Sequence, residues 1–286
     1  MSMIRTIMNP SVIIVPNAEV TGIGNRVKSY VSFLSRYDIV KTQKIPDYYS
    51  FENFSLATIS DLQKYPSFNH LNTHPRTDYF WRLLVDPEEE QYLDEYSTID
   101  LLYHKIPEYF RNKYIPVFKQ LKLRKGLENI VKSIVKDWDT ENMIGVSIRT
   151  YLNPGSDPSR NAWVDLQKFE DEIEKIPSDQ KFFFCSDSIR LNQYYLEKYK
   201  SQIITFPRKV DTIINDNIDD ITQTQEALIE MYLLSYCRKK IITTFGSTFP
   251  ECAWWLGECN AEVVIPVDLN KVPKEFIEDH FRKKQI

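Results

Sequence analysis

Short apolar segments alternate with amphipathic segments throughout the second half of the chain. The apolar segments include residues 143–149, 181–186 and 202–206, and segments with apolar residues at helical spacing lie between them. Strict alternation of strands and helices predicts a parallel sheet with helices on both faces. The pattern continues to a last predicted strand at residues 261–266, so the predicted fold class is α/β.

Residues 222–257 form the most informative unit of this alternation. The sequence predicts a helix, a brief β-branched strand at residues 241–244, a small-residue turn and a second helix. Thr248 and Glu251 have the spacing of a capping box, and Pro250 is compatible with a first helical turn. A capped helix after a strand presents free backbone N–H groups at its positive end, which suits a phosphate. The alternative interpretation is a solvent-facing corner with an ordinary cap.

The first half opens in a similar way. Residues 11–16 form an apolar predicted strand, residues 22–26 a glycine-containing turn, and residues 26–36 a helix with one apolar face. This order is typical of a Rossmann-like unit. The turn is not a dinucleotide-binding fingerprint, because the third glycine of G-x-G-x-x-G is missing.

The patterning is irregular in the first half and regular after the polar segment 136–139, which places a domain boundary near residue 138. We predict two Rossmann-like domains, residues 1–138 and residues 139–286, that face each other across a central cleft. A predicted C-terminal helix at residues 273–286 is long enough to pack back on the first domain.

Charge and composition exclude several classes of protein. A net charge of −4 provides no bulk attraction to nucleic acid or acidic membranes. The four cysteines lack paired spacing, which favours buried free thiols over a zinc site or disulfide framework. His70 and His74 occur without an H-E-x-x-H pattern, so no metal site is expected. No signal peptide or membrane span is predicted, and the expected location is the cytoplasm.

Candidate ligand-binding side chains stand at predicted strand ends, where parallel-sheet proteins bind ligands. They are Asn25, Arg26, Arg149, Asp187, Ser247 and Thr248. The guanidinium of Arg149 matches a diphosphate bidentately, although a structural salt bridge would use the same group. Asp187 could accept hydrogen bonds from a ribose or base, or could serve as the N-cap of the following helix.

Four short motifs occur in an order that resembles a known family. They are G-I-G-N-R at residues 22–26, G-V-S-I-R at 145–149, F-C-S-D at 184–187, and L-S-Y-C followed by T-F-G-S-T-F within 234–249. Together they resemble the fucosyltransferase superfamily, which includes the nodulation, core α-1,6-, α-1,2- and protein O-fucosyltransferases. The first 138 residues match only in their opening turn.

The resemblance implies an inverting, metal-independent GT-B glycosyltransferase that uses a nucleotide sugar, typically GDP-fucose, and no further cofactor. It implies that Arg149 binds the donor diphosphate and offsets the charge of the leaving group. The positions that match the family's other donor-binding motifs are Gly24, Asn25, Arg26, Ser147, Asp187, Ser247, Thr248 and Phe249.

The sequence departs from the family at one matched position and leaves the general base open. Ser147 stands where most family members have histidine, which alters a base or ribose contact. Asp157 lies in a loop where some relatives carry the carboxylate that deprotonates the acceptor. The alternatives are a turn role for Asp157, Glu19 as the base, or a dissociative mechanism without a strong base.

The hypothesis is therefore transfer of fucose to a hydroxyl of a glycan that binds the aromatic-rich first half. Aromatic residues that could stack on sugar rings, or pack in the core, are Tyr48, Tyr49, Phe51, Phe54 and Trp81. One alternative is a transferase with another donor, such as UDP-xylose. Another is a catalytically silent nucleotide-sugar or glycan-binding protein.

Overall fold

Two parallel β-sheets organise the chain. The computed structural model describes residues 11–15, 22–65, 106–152, 158–210 and 220–274. Within these ranges, a three-stranded sheet belongs to the first half and a five-stranded sheet to the second half. All of the strand pairs in both sheets are parallel.

The first sheet has the strand order β1-β2-β3. Its elements are β1 (Val12–Val15), α1 (Ile23–Leu34), β2 (Ile39–Thr42), α2 (Ile45–Ser50), β3 (Ser55–Leu56) and α3 (Ile59–Lys64). Helices α4 (Glu108–Phe118) and α5 (Lys125–Val135) follow before the second sheet. Every residue of β1 is buried, as expected for an apolar strand that is covered on both faces.

The second sheet has the strand order β6-β5-β4-β7-β8. Its strands are β4 (Ile144–Ile148), β5 (Phe182–Ser186), β6 (Ile203–Thr205), β7 (Lys240–Thr243) and β8 (Glu262–Val264). Its helices are a 3₁₀ helix (Pro158–Trp163), α6 (Leu166–Ile173), α7 (Ile189–Tyr199), α8 (Ile221–Ser235) and α9 (Thr248–Leu256). From β4 the chain adds β5 and β6 on one side and then β7 and β8 on the other, so the strand order reverses between β4 and β7. Open parallel sheets bind ligands at such a switch point, outside the carboxyl ends of the strands.

The predicted beginning of the first helix is wrong by one turn. Gly22 is the N-cap of α1, so Gly24, Asn25 and Arg26 belong to its first turn instead of a preceding loop. Glycine is a poor helix former, but Ile23 and Gly24 are buried there, and packing outweighs propensity.

One hydrophobic core extends across both halves of the chain. The buried residues of this core come from α1 and α4 in the first half and from α8 and α9 in the second. Trp255 of α9 is fully buried and stacks on Phe118 of α4, with ring centroids 5.5 Å apart and an interplanar angle of 4°. The two halves are thus joined by packed side chains. The predicted domain boundary near residue 138 stays a prediction.

Two further predictions concern a membrane span and the C-terminal helix. Among the described helices, none has the length and mean hydropathy that a bilayer-spanning segment needs. The predicted helix at residues 273–286 lies almost entirely outside the described residues.

Candidate functional site

Arg149 lies at the switch point, immediately after β4. Its backbone N–H donates to Thr244 Oγ1 at 2.9 Å, which links it to the end of β7. Its Nη1 lies 3.1 Å from Asp187 Oδ2, and the side chains are 30% and 6% exposed respectively. The salt bridge that the sequence allowed is therefore present, yet the Arg149 side chain is still partly exposed.

Asp187 holds the end of β4 as well as the arginine. Its Oδ1 accepts a hydrogen bond from the backbone N–H of Thr150 at 2.8 Å. The N-cap of α7 is Ser188, whose hydroxyl accepts from Leu191 N at 3.2 Å, so the alternative N-cap role of Asp187 is wrong. Asp187 instead orients Arg149 and its neighbour at the carboxyl edge of the sheet.

The predicted capping box of α9 is also wrong. Ser247 is the N-cap, and its side chain makes no capping hydrogen bond. The Thr248 hydroxyl donates to Asn25 Oδ1 at 2.6 Å, and Glu251 Oε1 accepts from Lys28 Nζ at 2.6 Å. Both side chains that could have capped α9 are used for contacts with α1, which the local spacing could not show.

The first turns of α1 and α9 are in direct contact. A Cβ atom at Gly24 would lie 2.7 Å from Phe249 N and 2.7 Å from Thr248 Oγ1, so only glycine fits. Cys252 Sγ donates to Gly24 O at 3.3 Å. Neither helix has a side-chain cap at its N-terminus. Two positive helix ends therefore converge beside the carboxyl edges of both sheets.

Arg26 is more deeply buried than we expect for a residue that binds the donor. Its Nε and Nη2 contact the two carboxylate oxygens of Asp47 at 2.9 and 3.0 Å, and it is 8% exposed. The Tyr30 hydroxyl donates to the same carboxylate at 2.7 Å. Burial, followed by the charge of Asp47, raises the pKa of Tyr30 well above its usual value. This geometry gives Arg26 a structural role, and its contact with a donor stays a prediction.

Ser147 occupies an interior position of the second sheet. It is 5% exposed and lies between Cys185 on β5 and Thr243 on β7. Burial raises the pKa of the neighbouring Cys185 thiol well above its usual value. The assignment of Ser147 to donor binding stays a prediction.

Sequence reasoning missed a buried polar cluster beside Asp187. Arg208 follows β6, donates from Nη1 to Ser186 O at 3.1 Å, and lies 3.6 Å from Glu230 Oε2. Desolvation raises the pKa of Glu230 to about 7, opposed by Arg208 and reinforced by Glu226 and Asp187. Within the described part of the chain, Glu230 Oε1 and Arg208 Nε have no hydrogen-bond partner.

The polar face of α8 could have revealed this cluster. Gln223, Glu226 and Glu230 recur at helical spacing and are all buried, although most of the other buried residues of α8 are apolar. Glu226 accepts hydrogen bonds from the backbone N–H groups of Lys209 and Val210 at 3.0 and 3.2 Å. A row of polar residues on a core-facing helix indicates either a buried network or a polar ligand.

Several predicted residues are buried or lie outside the described ranges. Phe51 and Phe54 are 0% and 3% exposed and contact each other, so of the two interpretations core packing applies to both. Tyr49 is 50% exposed and stays a candidate. The candidate bases Asp157 and Glu19 lie outside the described residues, as does Trp81. Among the described residues, no cluster of three acidic, histidine or cysteine side chains could hold a metal ion.

Comparison with known proteins gives a result at the level of structure. No protein-family model matches the chain, and neither does any curated protein sequence. A crystal structure of NodZ α-1,6-fucosyltransferase soaked with GDP-fucose matches with a TM-score of 0.51 and 16% identity. The match covers 87% of this chain and 93% of that one. The chain has a GT-B fold of the NodZ type.

Weaker matches involve the same type of enzyme. NodZ from Bradyrhizobium has 15% identity and a TM-score of 0.49, over 86% of this chain and 92% of that one. POFUT1 in complex with GDP-fucose has 11% identity and a TM-score of 0.44, over 91% and 98%. The predicted α/β class and GT-B fold are confirmed. At 16% identity the match to NodZ shows the fold alone.

Proposed function

We propose that this protein is an inverting glycosyltransferase that moves L-fucose from GDP-fucose to a glycan hydroxyl. The observation that carries the proposal is the position of Arg149. It follows the central strand at the switch point of a GT-B fold, near the N-terminus of α9, which has no side-chain cap, and its side chain is 30% exposed. Positive charge at that point suits the diphosphate of a nucleotide sugar.

The positive charge is needed when the bond between the sugar and the diphosphate of the donor breaks. The acceptor oxygen forms a bond to the anomeric carbon, while the bond from that carbon to the diphosphate oxygen breaks. The electron pair of the broken bond stays on the departing GDP, and the hydroxyl proton passes to a base. Arg149 and the α9 N-terminus would stabilise the developing negative charge without a metal ion, and such preorganised electrostatics are a large catalytic contribution. Asp157 and, failing it, Glu19 remain the proposed bases.

The buried cluster on α8 supports guanine as the base of the donor. Guanine presents two neighbouring N–H donors, whereas uracil presents one. A carboxylate accepts two such hydrogen bonds, and Glu230 Oε1 lacks a partner among the described residues. Arg208 links Glu230 to the end of β5, because its Nη1 lies 3.6 Å from Glu230 Oε2 and donates to Ser186 O, next to Asp187.

A nucleotide panel tests the donor. Thermal unfolding would be measured with GDP, UDP, GDP-fucose and UDP-xylose, each with magnesium and with a chelator. A ligand at a hundred times its dissociation constant stabilises the folded state by about 2.7 kcal/mol. We expect stabilisation by GDP and GDP-fucose that is insensitive to the chelator. Selective stabilisation by the UDP compounds would change the donor, and no response to any nucleotide would contradict the proposal.

Arg149 variants test the chemistry. Release of GDP from GDP-fucose, with water or a glycan panel as acceptor, would be compared for wild type, Arg149→Ala and Arg149→Lys. Loss of one charged contact to the departing group should lower the rate by about 10²- to 10³-fold in Arg149→Ala, with a smaller loss in Arg149→Lys. Arg238→Ala is the matched control, because Arg238 pairs with Glu141 at the opposite edge of the sheet. A wild-type rate in Arg149→Ala would refute the assignment.

A catalytically silent binding protein is the second candidate. The burial of Ser147 at the position where the family carries histidine favours it, because a contact to the donor is altered. This candidate predicts that GDP-fucose stabilises the protein while no GDP is released with any acceptor. Release of GDP that depends on Arg149 would exclude it.

A further inference from the structure

Arg208 contacts the last residue of β5. The pairing of β5 with β6 ends at Phe184 and Thr205, two residues before Ser186. The Ser186 carbonyl lies beyond that ladder, and Arg208 Nη1 donates to it at 3.1 Å, with Asn192 Nδ2 as a second donor at 3.4 Å. A buried backbone carbonyl needs a donor, and here the donors come from side chains instead of a neighbouring strand.

The Ser186 carbonyl is part of the peptide unit that leads into Asp187. Because a peptide unit is planar, a contact that fixes Ser186 O also fixes the direction of the Asp187 backbone. Asp187 Oδ2 lies 3.1 Å from Arg149 Nη1, and Asp187 Oδ1 accepts from Thr150 N at 2.8 Å. A short series of contacts therefore connects Arg208 with the Arg149 guanidinium.

Helix α8 holds Arg208 and the two residues that follow it. Glu230 Oε2 lies 3.6 Å from Arg208 Nη1, and these side chains are 3% and 5% exposed. Glu226 accepts from the backbone N–H groups of Lys209 at 3.0 Å and Val210 at 3.2 Å. Two carboxylates one helical turn apart thus hold three consecutive residues. A guanidinium donates in fixed planar directions, so holding Arg208 also defines the direction of its hydrogen bond.

The two arginines at this edge of the sheet differ in exposure. The Arg149 side chain is 30% exposed, whereas the Arg208 side chain is 5% exposed. The contacts of Arg208 are with a strand end and with a helix, and the residue next to its contact is Asp187. The structure therefore gives Arg208 an indirect part in the site, through the residue that pairs with Arg149.

We propose that Arg208 is a positioning residue, which fixes the Ser186 peptide unit and thereby the direction in which Asp187 holds Arg149. This inference rests on the proposed function, because it concerns the geometry of the same diphosphate site. It predicts that loss of Arg208 slows the transfer by displacing the Arg149 guanidinium, while the donor still binds.

Steady-state release of GDP from GDP-fucose tests this role. Wild type, Arg208→Met and Arg208→Lys would be compared per folded molecule, with the folded fraction determined by urea denaturation. We expect Arg208→Met to lower kcat by about 10- to 100-fold and to change KM by less than about threefold, because a small displacement of a positioned group has an effect of this size on the chemical step. Arg208→Lys keeps a donor and the charge, so its kcat should lie between the two.

Arg238→Met is the matched control for the loss of an arginine. Arg238 Nη1 pairs with Glu141 Oε1 at 2.7 Å, at the opposite edge of the sheet. Because Arg238 has no contact with the strand end at Ser186, its replacement should change kcat and KM by less than about twofold.

A double-mutant cycle separates positioning from a general structural effect. In Arg149→Ala the guanidinium that Arg208 positions is absent, so the addition of Arg208→Met should change kcat by less than about twofold. The same loss of kcat in both backgrounds would show that Arg208 acts independently of Arg149, and would overturn the proposal.

The outcomes distinguish this inference from the proposed function. If Arg149→Ala loses its rate while Arg208→Met keeps the wild-type kcat, the proposed function stands and the positioning role is wrong. A wild-type protein that releases no GDP with any acceptor would remove both proposals.

A second variant covers the case in which Arg208→Met does not fold. Arg208→Met combined with Glu230→Gln leaves no charge buried in the pair, so the cost of an uncompensated carboxylate is avoided. Compared with Glu230→Gln alone, the double variant should lower kcat by about 10- to 100-fold. Equal kcat values for these two proteins would overturn the positioning role.

Discussion

Two ion pairs in this molecule use the same kind of contact for opposite purposes. Lys28 and Glu251 are 2.6 Å apart and both 0% exposed, and they join α1 to α9. Arg149 and Asp187 are 3.1 Å apart at the edge of the second sheet, with the arginine 30% exposed. The first pair is closed to any other partner, whereas the second leaves its cation within reach of a ligand. Burial, more than distance, separates the closed pair from the open pair.

The largest effect is expected where the closed pair is broken. Lys28→Met leaves the Glu251 carboxylate buried, with Trp255 Nε1 as a donor at 3.3 Å. An uncompensated buried charge should lower the free energy of unfolding by about 3–5 kcal/mol, measured by urea denaturation. The double variant Lys28→Met with Glu251→Gln should recover part of that loss, because no charge remains buried.

A matched control shows whether burial is the cause. Lys175 pairs with Glu172 at the same distance of 2.6 Å, but the lysine is 67% exposed. Lys175→Met should change the free energy of unfolding by less than about 1 kcal/mol. Equal losses in Lys28→Met and Lys175→Met would break the comparison.

The pair of Arg208 and Glu230 sharpens the comparison. Its side chains are 5% and 3% exposed, so it is buried like the first pair, but its two atoms are 3.6 Å apart. The pKa of Glu230 is about 7 in the folded protein and lies above the ordinary value of 4.5. Between these values the folded state holds a proton that the unfolded state has lost, so stability falls as the pH rises. The loss should be complete above pH 7 and amount to no more than about 3 kcal/mol.

Glu230→Gln should remove this pH dependence. Glutamine does not titrate, so position 230 should make no pH-dependent contribution to the free energy of unfolding of the variant from about pH 4.5 to 8. The stability of the variant relative to wild type should therefore increase with pH. Urea titrations at several pH values measure the difference. A constant difference between the two proteins across that range would show that Glu230 titrates normally.

The smallest effect on stability is expected at the open pair. Arg149→Ala removes a partly exposed cation, and Asp187 keeps its hydrogen bond from Thr150 N at 2.8 Å. The free energy of unfolding should fall by about 1 kcal/mol or less, in the same urea titration that is applied to Lys28→Met. A loss as large as that of Lys28→Met would mean that Arg149 is a structural residue.

Local patterns predicted the parts of the fold that local sequence determines. The strands of the second sheet were predicted because each is a short apolar or β-branched run, and Arg149 was noticed because it directly follows the first of them. Lys28 was not singled out, because its partner Glu251 is 223 residues away. Arg208 and Glu230 were missed for a different reason, because one belongs to a loop and the other to a helix of which only the apolar face was considered.

The capping box shows a different limit of the sequence. Thr248 and Glu251 have side chains that suit a helix cap and also suit contacts between helices. The position of α1 decides between the two uses. The spacing of Thr248 and Glu251 in the sequence carries no information about that position. The positions of Arg149 and Asp187 directly after strands were predictable, whereas the contacts that orient their side chains depend on tertiary packing.

The contact between α1 and α9 also sets an order of events during synthesis. Asn25 meets Thr248 and Gly24 meets Cys252 across 223 and 228 residues of sequence. At a translation rate of about 5–20 residues per second, α1 leaves the ribosome on the order of ten seconds or more before α9. During that interval the Lys28 ammonium has no counter-charge to be buried with. The docking of α1 on α9 must therefore wait until α9 has left the ribosome.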